Sequence, residues 1–443
     1  METTESQPSA APTAPVQVEL APVSTLERIE LIDILRGFAL FGVLVANMKG
    51  YNLPMNAYFG FGADWPALTA FDRAIDEFIL YVIKGKFLSL FAVLFGLGLS
   101  VQMMRAEARG RSAIPRYLRR LLVLLMFGVV HVLLFWFGDI LHTYALVGFL
   151  LVLFHKLSVK TLGRIILSIL LLLMVGGFAD FISGQLRPTP ATPPAMIQQF
   201  RQKQQQERKA EVERKMQEEV RIFSTGTYRE QIALRSRQWI ELYGNPGTIF
   251  YFLFVLHLFL MGLYAGKRRL FQDIEANKPF LKKCLWFGAF CVLAGLARWM
   301  PSYPEFPAAN FVRGMLRAFS GYMFFFYAAG IALLVHRSAK WQRFFGHLAP
   351  VGRMALTNYL SHTLIASAIF YSWGLGYFGK MGSAWGLVLS LAIFTAQIVL
   401  CAWWLKHYQF GPAEWLWRSL TYGKAQPMKL RAAPTRTEAS AIA

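Results

Sequence analysis

The sequence predicts an all-α polytopic membrane protein with about ten transmembrane helices in two five-helix halves. Three observations predict it. Of the 443 residues, 55% are hydrophobic and only 16% charged, with a mean hydropathy of +0.39, whereas a soluble domain carries roughly 25% charged residues. Apolar runs recur from about residue 34 to residue 406, most of them close to the ~20 residues a helix needs to cross ~30 Å of hydrocarbon. The runs lack the alternation of a barrel strand, and a helix is the other structure that pairs every backbone N–H and C=O without water.

In chain order, residues 1–27 are rich in Ala, Pro, Thr and Glu and lack the basic segment and apolar core of a signal peptide. They are expected to form a disordered cytoplasmic tail. The first half, 28–184, holds spans at roughly 33–52, 80–104, 117–138, 139–156 and 162–184. Gly85, flanked by Lys84 and Lys86, is placed to split the second. The third and fourth meet at Phe137-Gly138-Asp139, where glycine permits a tight turn. A connection at 185–245 follows. Pro188, Pro190, Pro193 and Pro194 stop the fifth helix, and the polar stretch Met196 to Phe223, with pairs such as Glu211–Lys215 and Arg214–Glu218, predicts a charged helix outside the membrane. The second half, 246–425, holds spans at roughly 246–266, 281–300, 312–335, 353–373 and 384–406. Residues 426–443 are a second expected tail.

Charge sets the orientation. Connections 105–120, 155–164, 267–283 and 336–353 carry 6, 3, 6 and 4 Lys and Arg, against 1, 0, 0 and 1 in 51–80, 137–139, 299–311 and 372–384. By the positive-inside rule the first set is cytoplasmic, and an even span number puts both termini there. The formal net charge of +21 is thereby assigned to loops that meet anionic headgroups, so membrane lipids, and no nucleic acid, are the expected partners. Cys284, Cys291 and Cys401 lie inside spans and have no metal or disulfide spacing. No metal is expected, and HExxH, GxSxG and phosphate-loop motifs are absent, which removes the usual basis for hydrolase or ATPase readings.

Ionisable groups inside spans are costly and mark candidate sites. Asp33 and Arg36 are three residues apart on one helical face near the cytoplasmic end, as a donor-binding pair or a snorkelling helix-end pair. Asn47 lies about 21 Å further along that helix, and His131 lies about 21 Å from the start of the third span on the same side. Asp139 and His142 open the fourth span from outside. The four groups should converge in the outer third of the membrane. Asp139 could instead cap its helix, and a lone His is often a hydrogen-bonding group between helices. Mid-span His257 and His362 are expected to pack, and His155, His336, His347 and His407 to sit at the cytoplasmic interface.

The string Arg28…Leu31-Ile32-Asp33-Ile34-Leu35-Arg36-Gly37-Phe38-Ala39-Leu40…Asn47 resembles the opening of the YeiB-like family, domain of unknown function 418. Gly138-Asp139-Ile140-Leu141-His142-Thr143-Tyr144-Ala145, preceded by His131, is similar to its second block. Gly352-Arg353-Met354-Ala355-Leu356-Thr357-Asn358-Tyr359-Leu360 resembles its C-terminal signature. The resemblance spans about residues 28–425. It implies kinship with transmembrane acyltransferases such as the lysosomal heparan-α-glucosaminide N-acetyltransferase, which move an acyl group from cytoplasmic acyl-CoA to an acceptor on the far side. It thus implies a bacterial inner-membrane enzyme with acetyl-CoA or another acyl-CoA as co-substrate, no permanently bound cofactor, and a glycan, lipid or small-molecule acceptor. Asp33, Arg36, Arg353 and Asn358 would bind substrate. That relative has a His soon after its Asn, and segment 48–64 here has none, so the base is sought at His131 or His142. Asp139 would orient it and Asn47 polarise the carbonyl. A secondary transporter with a midplane site, a non-catalytic scaffold and a homodimer are the other expectations.

Overall fold

The computed structural model describes residues 29–60, 65, 69–108, 110, 112–186, 195–301 and 306–430. The expected tail at 1–27, most of the tail at 426–443, Arg109, Arg111 and the prolines at 188–194 lie outside these. The described residues form helices and turns, with one isolated β-bridge between Tyr408 and Lys429.

Helix α1 (Glu30–Asn52) is the axis of the molecule, with 72% of its apolar window buried, against 33% for several other spans. A short α2 (Met55–Phe59) follows, then α3 (Ala70–Phe78), which runs through a π-turn at Ile79–Ile83 to Gly85 and into α4 (Lys86–Glu107). Gly85 has φ +84°, open to glycine at no steric cost, so the predicted split of the second span occurs where its glycine sits. Helices α5 (Ile114–Leu134) and α6 (Leu141–Leu151) form the predicted hairpin, and α7 (Val159–Leu186) follows.

The linker folds as two helices. The predicted one is α8 (Ala195–Thr225). A capping box between Thr227 and Glu230 then starts α9 (Tyr228–Tyr243), satisfying two otherwise orphaned N–H groups. The rest comprises α10 (Thr248–Lys267), α11 (Ile274–Gly295), α12 (Pro307–Phe319), α13 (Phe324–Arg337), the short α14 (Ala339–Gly346) and α15 (Ala349–Arg353), α16 (Ala355–Phe370), α17 (Ser383–Trp404) and α18 (Pro412–Tyr422).

Among the described residues, seven helical stretches are long and apolar enough to cross a bilayer. Two of the other expected spans are shorter: Leu141–Phe154 and the 16-residue α16, about 21 and 24 Å at 1.5 Å per residue, less than the hydrocarbon thickness.

Backbone contact holds the centre together. A side chain at Gly262 of α10 would run into the Val93 carbonyl of α4, and one at Gly96 of α4 into the Phe259 carbonyl. Small residues let helices approach where apolar burial offers little gain over lipid. α15 likewise lies on α1, with Gly352 against the Asp33 carbonyl and Gly37 against that of Leu348.

The two ends differ. At one, which we call the linker end, α8 and α9 cover the turns. Gly379 donates to Asn52, Ser372 donates to Phe223, and Arg235 donates to the carbonyls of Leu133 and Phe135 at 3.1 and 3.3 Å. A guanidinium is well suited to the carbonyl-rich end of α5. At the other, the basic end, α18 packs on α5 and α16, and the Trp417 indole donates to the Arg120 carbonyl.

Candidate functional site

Asp139 is the hub. It lies in the turn between α5 and α6, with no exposed surface, where a buried carboxylate must be hydrogen-bonded throughout. Its Oδ2 accepts the backbone N–H of His142 at 2.9 Å and stands 3.0 Å from His142 Nδ1. Its Oδ1 accepts the Tyr359 hydroxyl from α16 at 3.3 Å and stands 2.9 Å from His131 Nδ1. Capping and clustering, weighed above as alternatives, are therefore both performed by one side chain.

The two imidazoles differ in what they have left to offer. The Trp239 indole, from α9, donates to His142 Nε2 at 3.3 Å. An indole N–H can only donate, so Nε2 accepts and the His142 ring proton sits on Nδ1, facing Asp139. His142 is fully engaged. His131 is equally buried; its Nδ1 lies 2.9 Å from Asp139 Oδ1, and its Nε2 has no hydrogen-bond partner among the described residues. A buried polar atom without a partner is rare and asks for an explanation.

Around this hub, Tyr359 also accepts the Ile140 N–H at 3.3 Å. The Tyr243 hydroxyl lies within 3.5 Å of the Asp139 carbonyl and receives Thr143 Oγ1 at 3.3 Å. Burial, the largest influence, pushes the Tyr243 phenol up to about 12, so it remains protonated.

Two cavities approach the cluster, one bordered by Asp139 and the other by Tyr359, while His131 and His142 line neither. The linker-end cavity has a volume of about 870 Å³ and is lined by Asn47, Tyr58, Lys84, Trp136, Asp139 and Ile140 from the spans and the turns beside them and by Arg208, Glu211, Lys215, Glu241 and Tyr243 from the linker. That volume suits a small organic ligand. The basic-end cavity, about 200 Å³, is lined by Arg36, Arg120, Arg353, Arg418, Tyr117, Glu414 and Trp417, and reaches Leu141, Tyr144 and Tyr359. Tyr359 borders one cavity and bonds to Asp139 and Ile140, which border the other.

The sequence-derived residues divide accordingly. His131, Asp139 and His142 are brought together, and Asn47 faces Asp139's cavity with its Oδ1 accepting the Tyr58 hydroxyl at 3.4 Å. Arg36 pairs with Asp33 at 3.2 Å and lines the basic-end cavity with Arg353; Asp33 itself is buried behind it. Asn358 lines neither cavity. It donates to the carbonyls of Val351 and Met354, where α15 breaks into α16, and contacts Cys401. His257 bonds Tyr322 and His362 bonds Gln397, the packing role expected of them. Among the described residues no group of three or more His, Cys, Asp or Glu is placed to hold a metal.

Sequence reasoning missed Tyr359, Trp239, Tyr243, Lys84 and the α18 residues. Tyr359 stood within the C-terminal block quoted above. Trp239 and Tyr243 lie in a linker whose polarity gave no sign of a contact with the spans. Glu414 receives the N–H groups of Leu356 and Thr357 at 2.6 and 3.1 Å, a carboxylate at the positive end of α16.

Comparison with known proteins gives a consistent result. Residues 265–424 match a family described as "Protein of unknown function (DUF418)". The chain is 31% identical over 420 residues to "Uncharacterized protein YxaH" of Bacillus subtilis (strain 168), covering 92% of this chain and 98% of that one. It is 29% identical over 417 residues to "Uncharacterized protein YeiB" of Escherichia coli (strain K12), covering 91% and 98%.

Proposed function

The chain belongs to the DUF418 family of multi-pass membrane proteins, and on that premise we propose that it is an acyltransferase working across the bacterial inner membrane. The observation that supports the reading is the Asp139–Tyr359 hydrogen bond, with Asp139 bordering the larger cavity and Tyr359 an arginine-lined cavity at the opposite end. The basic end faces the cytoplasm on the positive-inside argument. There Arg36, Arg120, Arg353 and Arg418 receive the phosphates of an acyl-CoA, for which guanidinium groups are well matched. The acceptor enters from the linker end.

His131 is the base, because its Nδ1 lies against Asp139 while its Nε2, unlike that of His142, has no hydrogen-bond partner among the described residues. It takes the proton of the acceptor hydroxyl or amine as that atom attacks the thioester carbonyl. The tetrahedral centre collapses, the C–S bond breaks, and the proton passes to the departing CoA thiolate. Asp139 holds both rings in register, His142 positions Asp139, and Asn47 donates to the developing oxyanion. General acid–base catalysis of this kind contributes about 10²–10⁴ in rate.

The test uses protein reconstituted in liposomes with acetyl-CoA and a panel of glycan, lipid and polyol acceptors, reading acceptor-dependent release of free CoA thiol. Wild type should release CoA, and His131→Ala should be slower by about 10²–10⁴. Absence of acceptor-dependent release, or equal rates in the two proteins, sinks the reading.

A second reading, a transporter, is favoured by one observation. The helix breaks at Ile79–Gly85 and at Met354 border the two cavities, and interrupted helices are characteristic of substrate sites in secondary transporters. Labelled-solute uptake by the same liposomes without CoA release would favour it.

A further inference from the structure

Lys84 has no place in the acyl-transfer steps. It stands in the interruption between the π-turn and α4 and lines the linker-end cavity. Its ammonium donates to the Tyr58 carbonyl at 2.7 Å and sits 4.5 Å above the Tyr58 ring. Among the described residues no carboxylate lies within ion-pairing distance. Its neighbours Asp76 and Glu77 are taken, Asp76 by Lys49 at 3.0 Å and Glu77 by Arg298 at 2.8 Å. Asp139, Glu211 and Glu241 line the same cavity and Asp76 lies within electrostatic range, but none forms a contact ion pair with Lys84; a cation held among membrane helices without one carries a desolvation cost, which a negatively charged occupant of the cavity would offset.

The rest of the cavity describes that occupant. Trp136, Tyr243 and Tyr251 offer aromatic faces, and Asn47, Asn56 and Asn245 offer amides that both donate and accept. Such a lining suits a hydroxyl-rich body. Beside Lys84, the cap residue of α4 is Gly85, whose missing side chain leaves the first turn of the helix uncapped; its N–H groups favour an anion in the same place.

We propose that the linker-end cavity is a binding site for a phosphate-bearing polyol, its phosphate received by Lys84 and its hydroxyls by the amide and aromatic lining. This rests on the acyltransferase reading only in naming that ligand as the acceptor; the binding site stands on the cavity itself. A lipid headgroup and a soluble polyol phosphate share the chemistry, so the experiment separates them.

Binding is measured without any acyl-CoA, so that failure here and failure of catalysis are distinct results. The purified protein is titrated calorimetrically with glycerol 1-phosphate and with glycerol. In parallel its unfolding midpoint is compared in nanodiscs of phosphatidylcholine with and without phosphatidylglycerol. Glycerol 1-phosphate, phosphatidylglycerol or both should bind, glycerol should not, and Lys84→Met should weaken binding by on the order of tenfold while Lys84→Arg retains it. Response to the soluble probe alone identifies a soluble source, and response to phosphatidylglycerol alone a headgroup. Should Lys84→Met fail to fold, the wild type still decides: the binding probe should slow acylation of Lys84 by an amine-reactive reagent, read by mass spectrometry. Equal binding of glycerol and its phosphate, undiminished binding by Lys84→Met, or unprotected Lys84 overturns the proposal.

Discussion

At the scale of single residues, Asp139 carries most of the organisation. One carboxylate caps a helix, orients two imidazoles and receives a tyrosine, and removing a charged partner from such a buried network typically costs several kcal/mol. The division of labour between the histidines follows from hydrogen-bond inventory: His142 spends its lone pair on Trp239, and His131 does not. Trp239→Phe should therefore lower acyl transfer by less than about tenfold, since it touches only the positioning ring, against about 10²–10⁴ for His131→Ala. Rates of CoA release in the two variants check this, and a Trp239→Phe defect as large as that of His131→Ala would reverse the assignment. Much at this scale was legible beforehand. Counting residues along helices whose direction the loop charges predict set Asn47, His131, Asp139 and His142 at one depth. Depth does not reveal azimuth, however, and so Tyr359, which completes the cluster from α16, and Asn358, which turns to α15 carbonyls, could not be told apart.

At the scale of elements, the linker carries more than its composition suggested. The expected polar helix is there as α8, but α9 sends Arg235 into the end of α5, Trp239 to His142 and Tyr243 towards Asp139. A sequence reading measures a segment's own hydrophobicity; it has no measure of which surface that segment meets. α8 is pinned by Glu219, whose carboxylate accepts the Met55 N–H at 2.8 Å. Burial pushes this acid up to about 7, with nearby Glu241 and Glu218 adding to the effect and the Met55 N–H opposing it. The folded state thus holds a proton that the undocked chain, near its ordinary value, releases sooner. The contribution to docking is complete below about pH 4.5 and is lost as pH rises through about 7. Hydrogen exchange in residues 51–60 and 205–243 should accelerate between pH 6 and pH 8, after correction for intrinsic rates, and Glu219→Gln should abolish that extra dependence. A corrected exchange rate that is flat with pH in the wild type would contradict it.

At the scale of the whole molecule, the helical membrane class and the position of nearly every apolar run followed from composition and periodicity, because a bilayer enforces both. What the count of runs left out was their reach: α6 and α16 are short, and both line the basic-end chamber. Asp139 borders one chamber and Tyr359 the other, and a hydrogen bond joins the two side chains. In the proposed inner-membrane setting, where energy is stored as a proton gradient, a perforation at this point would be harmful, and on that proposal the side chains between the chambers also act as a seal. Tyr359→Ala removes the largest piece of that seal. Liposomes carrying this variant should discharge an imposed pH gradient faster than wild type, as followed with an internal pH-sensitive dye, and the excess discharge should vanish when the large chamber is filled by a bound ligand.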